Sequence, residues 1–182
     1  MVYDREMGSM KTLLISPLPR WFLLSSKLLA GTFVSILQVY VFLLIAWFYD
    51  IQAPWLGYLS LFPALILSGL MLGALGMLLS SFIKQLENFA GVMNFVIFPM
   101  FFMSTALYPL WKIKESSLLL FSLASYNPFS QAVEFVRFAL YGQLNVYAFV
   151  YTLLAFVVFM LLAVWGYNPS KGMMVKKTTG PR

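Results

Sequence analysis

Glu134 and Arg137 lie three residues apart, as do Lys84 and Glu87, so in each pair an acid can meet a base on one helical face. The chemistry open to them is modest. Lys84 and Glu87 read as a solvated pair worth a few tenths of a kcal/mol. Glu134 and Arg137 follow Asn127-Pro128 in apolar surroundings. They read either as an exposed ion pair or as anchors for short helices at a membrane interface, and the second reading is preferred. Neither pair sets a nucleophile beside a general base. Cys and His are both absent. That excludes structural zinc, His- or Cys-ligated haem, iron–sulfur clusters, thiol catalysis and a Ser-His-Asp triad. No GxxxxGK[ST] phosphate loop occurs, so an energy source of that kind has to come from a partner.

The elements that must position these residues are apolar. Of 182 residues, 62% are hydrophobic and 18% aromatic, but only 10% are charged. A soluble domain carries roughly a quarter charged residues. Mean hydropathy is +0.86, and stretches free of Asp, Glu, Lys and Arg run 28–49, 51–83, 88–111, 116–133 and 138–170. About 20 apolar helical residues cross a bilayer, so the sequence predicts an all-α, polytopic membrane helix bundle forming a single transmembrane domain. Four spans are expected, at 28–49, 56–82, 89–111 and 146–167. The first 27 residues form a cytoplasmic amphipathic segment without the apolar run of a secretory signal, and 168–182 form a cytoplasmic tail. The stretch 112–140 is different. Tyr126-Asn127-Pro128 splits it into pieces too short to cross, because Pro128 lacks a donor and pushes Asn127 out of helical geometry. Two short helices that dip into one leaflet and return are favoured over a kinked span.

Net charge is +6 and the pI is near 9.6. With the basic residues flanking apolar spans, the positive-inside rule accounts for them without nucleic acid. With both termini cytoplasmic, nine of the 12 basic residues lie inside: Arg5, Lys11, Arg20, Lys27, Lys84, Lys171, Lys176, Lys177 and Arg182. Lys112, Lys114 and Arg137 lie outside. The expected location is an inner (plasma) membrane.

Three further features bear on function. Tyr3, Met7, Met10 and Leu14 recur at helical spacing, which suits a helix lying on the lipid surface, or a docking helix for a cytoplasmic partner. Gly69, Gly73 and Gly76 fall close to one face of the second span and permit close approach of a neighbouring helix. Of the polar residues inside spans, most read as helix–helix hydrogen bonds, with Gln38 and Asn94 as alternative pathway-lining residues. No ionisable residue lies inside the four spans, which argues against a proton relay or an intramembrane enzyme.

Several motifs resemble one family. The run from Asp4 through Arg5, Glu6, Met7 and Gly8 to Ser16-Pro17-Leu18-Pro19-Arg20 is similar to the cytoplasmic segment of type-2 ABC exporter permeases. Asn94 to Ser104 resembles that family's fifth span, Leu107-Tyr108-Pro109-Leu110 its exit to the outside, and Tyr126 to Arg137 its Asn-Pro motif ahead of the last span. One departure is Lys11, where the family often has Glu. The resemblance implies a permease subunit of an ATP-driven exporter, lacking the first two of six spans. It implies an ABC ATPase as partner, with ATP and Mg held there and no cofactor in this chain. It also implies a second permease copy or paralogue and surrounding membrane lipid. Asp4, Arg5, Glu6 and Gly8 become the candidate ATPase contacts, with Lys84 and Glu87 as a second patch, and Asn127, Pro128, Glu134 and Arg137 as shapers of an outer gate. The alternative is a non-transport membrane scaffold or assembly protein.

Overall fold

The computed structural model describes residues 19–83 and 86–166. Among them are seven helices and no strand: α1 (Arg20–Phe48), α2 (Trp55–Phe82), α3 (Leu86–Phe102), α4 (Leu110–Ser116), α5 (Leu118–Tyr126), α6 (Pro128–Leu140) and α7 (Val146–Gly166). The segment expected as an amphipathic N-terminal helix, and the tail, lie outside the described residues.

Three helices are long and apolar enough to cross a membrane: α1, α2 and α7. Where 89–111 was expected as one span, α3 ends at Phe102 after 17 residues, and the chain turns before α4. Pro99 lies inside the helix, which continues past it, and the ladder closes with Met103 N–H on the Pro99 carbonyl, at 2.9 Å. What holds the early stop is a donor from later in the chain, Asn127 Nδ2, which meets the Met100 carbonyl.

Helix α2 is the hub. It packs most extensively against α7, then against α1 and α6. Its buried residues Gly57, Leu61, Ala64, Ser68, Met71, Ala74 and Leu75 repeat every three or four positions and are mostly small, so neighbours approach its backbone closely. Helix α7 starts beside the start of α2 and ends beside its end, where Ser81 Oγ donates to the Ala163 carbonyl at 3.4 Å. The two helices therefore run parallel. One apolar cluster joins Ala64 of α2, Phe135 and Ala139 of α6 and Ala148 of α7. Another seats Leu24 of α1 among Met77, Met160 and Val164.

The turns follow local chemistry. Asp50 takes a left-handed conformation (φ 59°) between α1 and α2, a region Asp tolerates better than most residues. That turn is clamped by Tyr40, whose hydroxyl donates to the Tyr58 carbonyl at 2.7 Å. Gly142 (φ 71°) closes α6: its N–H meets the Ala139 carbonyl and Gln143 N–H the Phe138 carbonyl, a Schellman arrangement. Asn145 then caps α7 through Ala148 N–H at 3.1 Å.

The outside is strongly apolar. Trp55, Phe95 and Trp165 are each at least 80% exposed, amid many other bare large hydrophobics. A bilayer, in which such surface costs nothing, is the solvent this surface matches.

Candidate functional site

The polar groups of this bundle converge where α3 breaks. A helix that stops early leaves carbonyls without intrahelical donors, and in an apolar surrounding each must find another partner. The Met100 carbonyl, and that of Thr105 in the turn beyond the helix, find theirs about thirty residues later in the chain. Asn127 Nδ2 donates to the Met100 carbonyl at 2.7 Å, and Arg137 Nη2 donates to the Thr105 carbonyl at 2.6 Å. Between these two contacts, Thr105 donates two hydrogen bonds to Ser130. Thr105 N–H donates to Ser130 Oγ at 3.3 Å, and Thr105 Oγ1 donates to the Ser130 carbonyl at 3.2 Å. Both residues are fully buried. Ser104 completes the turn, donating to the Phe101 carbonyl at 2.6 Å and accepting from Ala106 N–H at 3.1 Å.

Helices α5 and α6 are built to present those donors. Ser117 is the N-cap of α5, accepting from Leu120 N–H, and Lys114 of α4 lies 5.7 Å from the Phe121 ring centroid. Asn127 leaves helical geometry (ψ 120°) and caps α6, its Oδ1 accepting from Phe129 N–H at 3.0 Å, with Pro128 at the first helical position. One amide thus serves both helices: its oxygen starts α6 and its nitrogen closes α3. Gln131 spans the same break, its Nε2 donating to the Ser125 carbonyl at 2.7 Å.

Helix α6 carries a buried polar edge, Ser130, Gln131 and Glu134, beside a buried apolar one, Ala132, Phe135 and Ala139. Glu134 is paired. Arg137 Nη1 donates to its Oε1 at 2.8 Å, with the acid side chain 9% and the base 35% exposed. The carboxylate thus holds the guanidinium in place, and the guanidinium's other arm reaches Thr105. On its far side α6 rests on α2. Ser60 Oγ lies 2.6 Å from the Ala139 carbonyl, and Gly57 leaves no room for a side chain against the Leu140 carbonyl. Tyr151 of α7 holds α5 by donating to the Tyr126 carbonyl at 2.7 Å.

Asn127, Pro128, Glu134 and Arg137 are therefore brought together at the α3 break. Gly69 and Gly73 face α1, opposite Thr32 and Leu28 respectively, whereas Gly76 faces Met93 of α3. Gln38 and Asn94 are exposed. Asp4, Arg5, Glu6, Gly8 and Lys84 lie outside the described residues. Glu87 belongs to the first turn of α3, with its side chain outside the described set. Sequence reading passed over Ser130 and Tyr151 as network members, since a hydroxyl inside an apolar stretch carries no mark of which distant carbonyl it meets. Among the described residues no three of His, Cys, Asp or Glu converge.

Comparison with known proteins adds a second line. Residues 1–141 match the family model described as ABC-2 type transporter. The chain is 35% identical over 97 residues to a probable multidrug ABC transporter permease, YbhR, of Escherichia coli K12, and equally to that of strain O157:H7. The match covers 52% of this chain but 26% of each relative, so it spans about a quarter of their length. No solved structure matches the chain significantly.

Proposed function

Because this chain belongs to the ABC-2 type transporter family, we propose that it is the permease subunit of an ATP-driven exporter, forming part of the substrate path and coupling ATPase closure to alternating access. ATP and Mg are bound and hydrolysed by a separate ABC ATPase subunit, and a second permease copy or paralogue completes the path. The 35% identity to a probable multidrug permease supports this class of transport.

The observation that carries the reading is the hydrogen-bonded docking of α5–α6 onto the broken end of α3. Non-helical backbone at membrane depth is tolerated where it is buried in protein and its polar groups are met, and here they are met by groups a rigid-body shift of α6 could release together. In this reading α1, α2 and α7 span the inner membrane, the shorter α3 carries the chain back across between α2 and α7, both termini are cytoplasmic, and α5 and α6 form a re-entrant pair that shapes the outer gate. The N-terminal segment acts as the lever: Asp4, Arg5, Glu6 and Gly8 contact the ATPase, with Lys84 and Glu87 as a second contact.

The test is co-purification in detergent with the nucleotide-binding subunit encoded beside this chain, for the native form and for Glu6→Lys. Recovery of an ATPase with the native chain and its loss in the variant supports the reading. Failure to recover an ATPase with either form, in a six-span chain, favours a membrane scaffold instead.

A further inference from the structure

Helix α1 leaves an unusual stripe uncovered. Gly31, Ser35 and Gln38, spaced four and three, share one of its faces and are all exposed. A Cβ at Gly31 has nothing within 4 Å. Elsewhere the exposed surface of α1 carries bulky hydrocarbon, Leu29, Phe33, Leu37 and Leu44, which suits acyl chains. Gln38 does not. It stands ten residues from the start of the charge-free stretch 28–49 and eleven from its end. Roughly 15 Å of helix therefore separates it from either end, which is mid-depth in a ~30 Å hydrocarbon layer. Its side-chain amide has no hydrogen-bond partner among the described residues. Acyl chains can neither donate to such a group nor accept from it.

A second observation lies beside the stripe. A cleft of about 660 Å³ between α1 and α2 is lined by Gly31 and Ser35, and also by Thr32 and Ser68. Thr32 Oγ1 and Ser68 Oγ are buried, each residue only 6% exposed, and neither has a hydrogen-bond partner. Hydroxyls of this bundle that reach beyond their own helix meet a carbonyl of the neighbouring one. Ser60 meets that of Ala139 on α6, and Ser81 that of Ala163 on α7. Two buried donors left over at the edge of an open small-residue stripe are groups that one more helix would satisfy.

We propose that this face of α1 is the seam on which two copies of the chain pair in the membrane, α1 against α1 about a two-fold axis, with the two Gln38 amides bonded to each other. The amide identifies the occupant. On a two-fold axis a residue meets its own copy, so its side chain must complement itself. A primary amide carries donors and an acceptor and does so, whereas an ammonium or a carboxylate would meet its like charge. Ser35 and Gly31, about one and two turns from Gln38, are small enough for the two backbones to close to that contact. At the crossing, carbonyls of the arriving helix come within reach of Thr32 and Ser68, and its side chains enter the cleft. The seam deepens the transport reading, on which it rests for the role of the second copy, and adds where the two copies meet.

The experiment places single cysteines in the full chain, which has none of its own, and oxidises it in membranes. Ser35→Cys is expected to give a disulfide-linked dimer, and Phe33→Cys, on the opposite face of α1, is not. In the Ser35→Cys chain, Gln38→Leu is expected to lower the pairing constant about tenfold. Gln38→Asn keeps a self-complementary amide and is expected to restore part of it. Gly31→Leu is expected to act as Gln38→Leu does, by holding the backbones apart. Gln38 is exposed and a Cβ at Gly31 meets nothing, so the variants are expected to melt in detergent no lower than the native chain. A disulfide at Phe33 as strong as at Ser35, or one undiminished by Gln38→Leu, overturns the proposal. So does an adduct of Ser35→Cys with another protein in place of a dimer, or no disulfide at all. The ATPase co-purification separates the two readings. An ATPase recovered without the α1 disulfide overturns the seam alone, whereas the disulfide without any ATPase upholds the seam and counts against the transport reading.

Discussion

The Asn127 side-chain amide joins two helix ends that are twenty-seven residues apart, donating to the Met100 carbonyl at 2.7 Å while capping α6 through Phe129 N–H at 3.0 Å. Neither role replaces the other. The cap organises α6, and the donor closes α3, whose carbonyl otherwise faces an apolar surrounding unmet.

Replacement at this position separates the two roles. Asn127→Ala loses both, and about 2 kcal/mol of stability is expected to go, combining a lost cap of ~1 kcal/mol with an unsatisfied carbonyl. Asn127→Asp keeps an oxygen to cap α6 but aims a carboxylate oxygen at the Met100 carbonyl. It is expected to melt no higher than the alanine variant. Thermal melting in detergent reads both. An aspartate that restores native stability would show the Met100 contact to be idle.

The Glu134–Arg137 pair gives an asymmetric expectation. Glu134→Gln retains an acceptor for Arg137 and leaves the Thr105 contact in place. Arg137→Ala strands a 9%-exposed carboxylate and the Thr105 carbonyl at once. Breaking a fully buried pair costs 3–5 kcal/mol, and with the base a third exposed about 2 kcal/mol is expected for Arg137→Ala, against under about 1 for Glu134→Gln. Exchanging the charges, Glu134→Arg with Arg137→Glu, is expected not to rescue, because the Thr105 carbonyl needs a donor where a carboxylate then sits. Chemical or thermal unfolding of the three variants checks the order, and rescue by the exchange would reduce the cluster to a simple ion pair.

Much of the fold was legible because membrane helices announce themselves by what they lack. The bounds expected at 56–82 and 146–167 coincide with α2 and α7 to within one residue, and 28–49 ends within one residue of α1, which begins earlier, at Arg20, and carries Lys27 within it. The Asn127-Pro128 dipeptide marks where α5 gives way to α6, since a missing donor and a restricted backbone are local properties. The end of α3 was not legible. Residues 100–111 stay apolar, so composition extends the helix to Trp111, whereas the structure stops it at Phe102. What stabilises that early stop is Asn127 and Arg137, and no local window contains both the carbonyl and its donor. The same holds for Thr105 with Ser130. Each reads as an ordinary hydroxyl, and only the docking of α6 pairs them.

Four glycines offer a graded test of which close approaches are rigid. At Gly57 a methyl group would fall on the Leu140 carbonyl, which is backbone and cannot move without displacing the end of α6. At Gly73 it would come to 2.6 Å of Leu28 Cδ2, and at Gly69 to 2.9 Å of Thr32 Cγ2, where side chains can give way. At Gly31 it meets nothing. The expected order of destabilisation by alanine is Gly57 at about 3 kcal/mol, Gly69 and Gly73 at about 1, and Gly31 stabilising by about 0.5–1 through helix propensity. Melting temperatures of the four single variants decide it, and a tolerated Gly57→Ala would mean that α2 and α6 are not held as closely as described.

Tyr151 isolates gating from stability. Its hydroxyl donates to the Tyr126 carbonyl at 2.7 Å and so ties α5, the first of the two short helices, to α7. Tyr126 is 73% exposed, so its end of α5 is not buried in the core. Removing the hydroxyl as Tyr151→Phe keeps the ring and its packing beside Tyr147, 6.1 Å between centroids. Only about 1 kcal/mol of stability is expected to be lost. If α5 and α6 swing away from α7 as a gate, the variant shifts the balance toward the released state. Transport by the chain reconstituted with the proposed ATPase partner then changes severalfold, and the affinity between the two does not. If instead the pair is a static plug, transport is expected to follow the small stability loss and nothing more. The conservative change at a peripheral clamp makes the two outcomes separable, because the buried donors Asn127 and Arg137 are left in place while a tie between α5 and the spanning helix is cut.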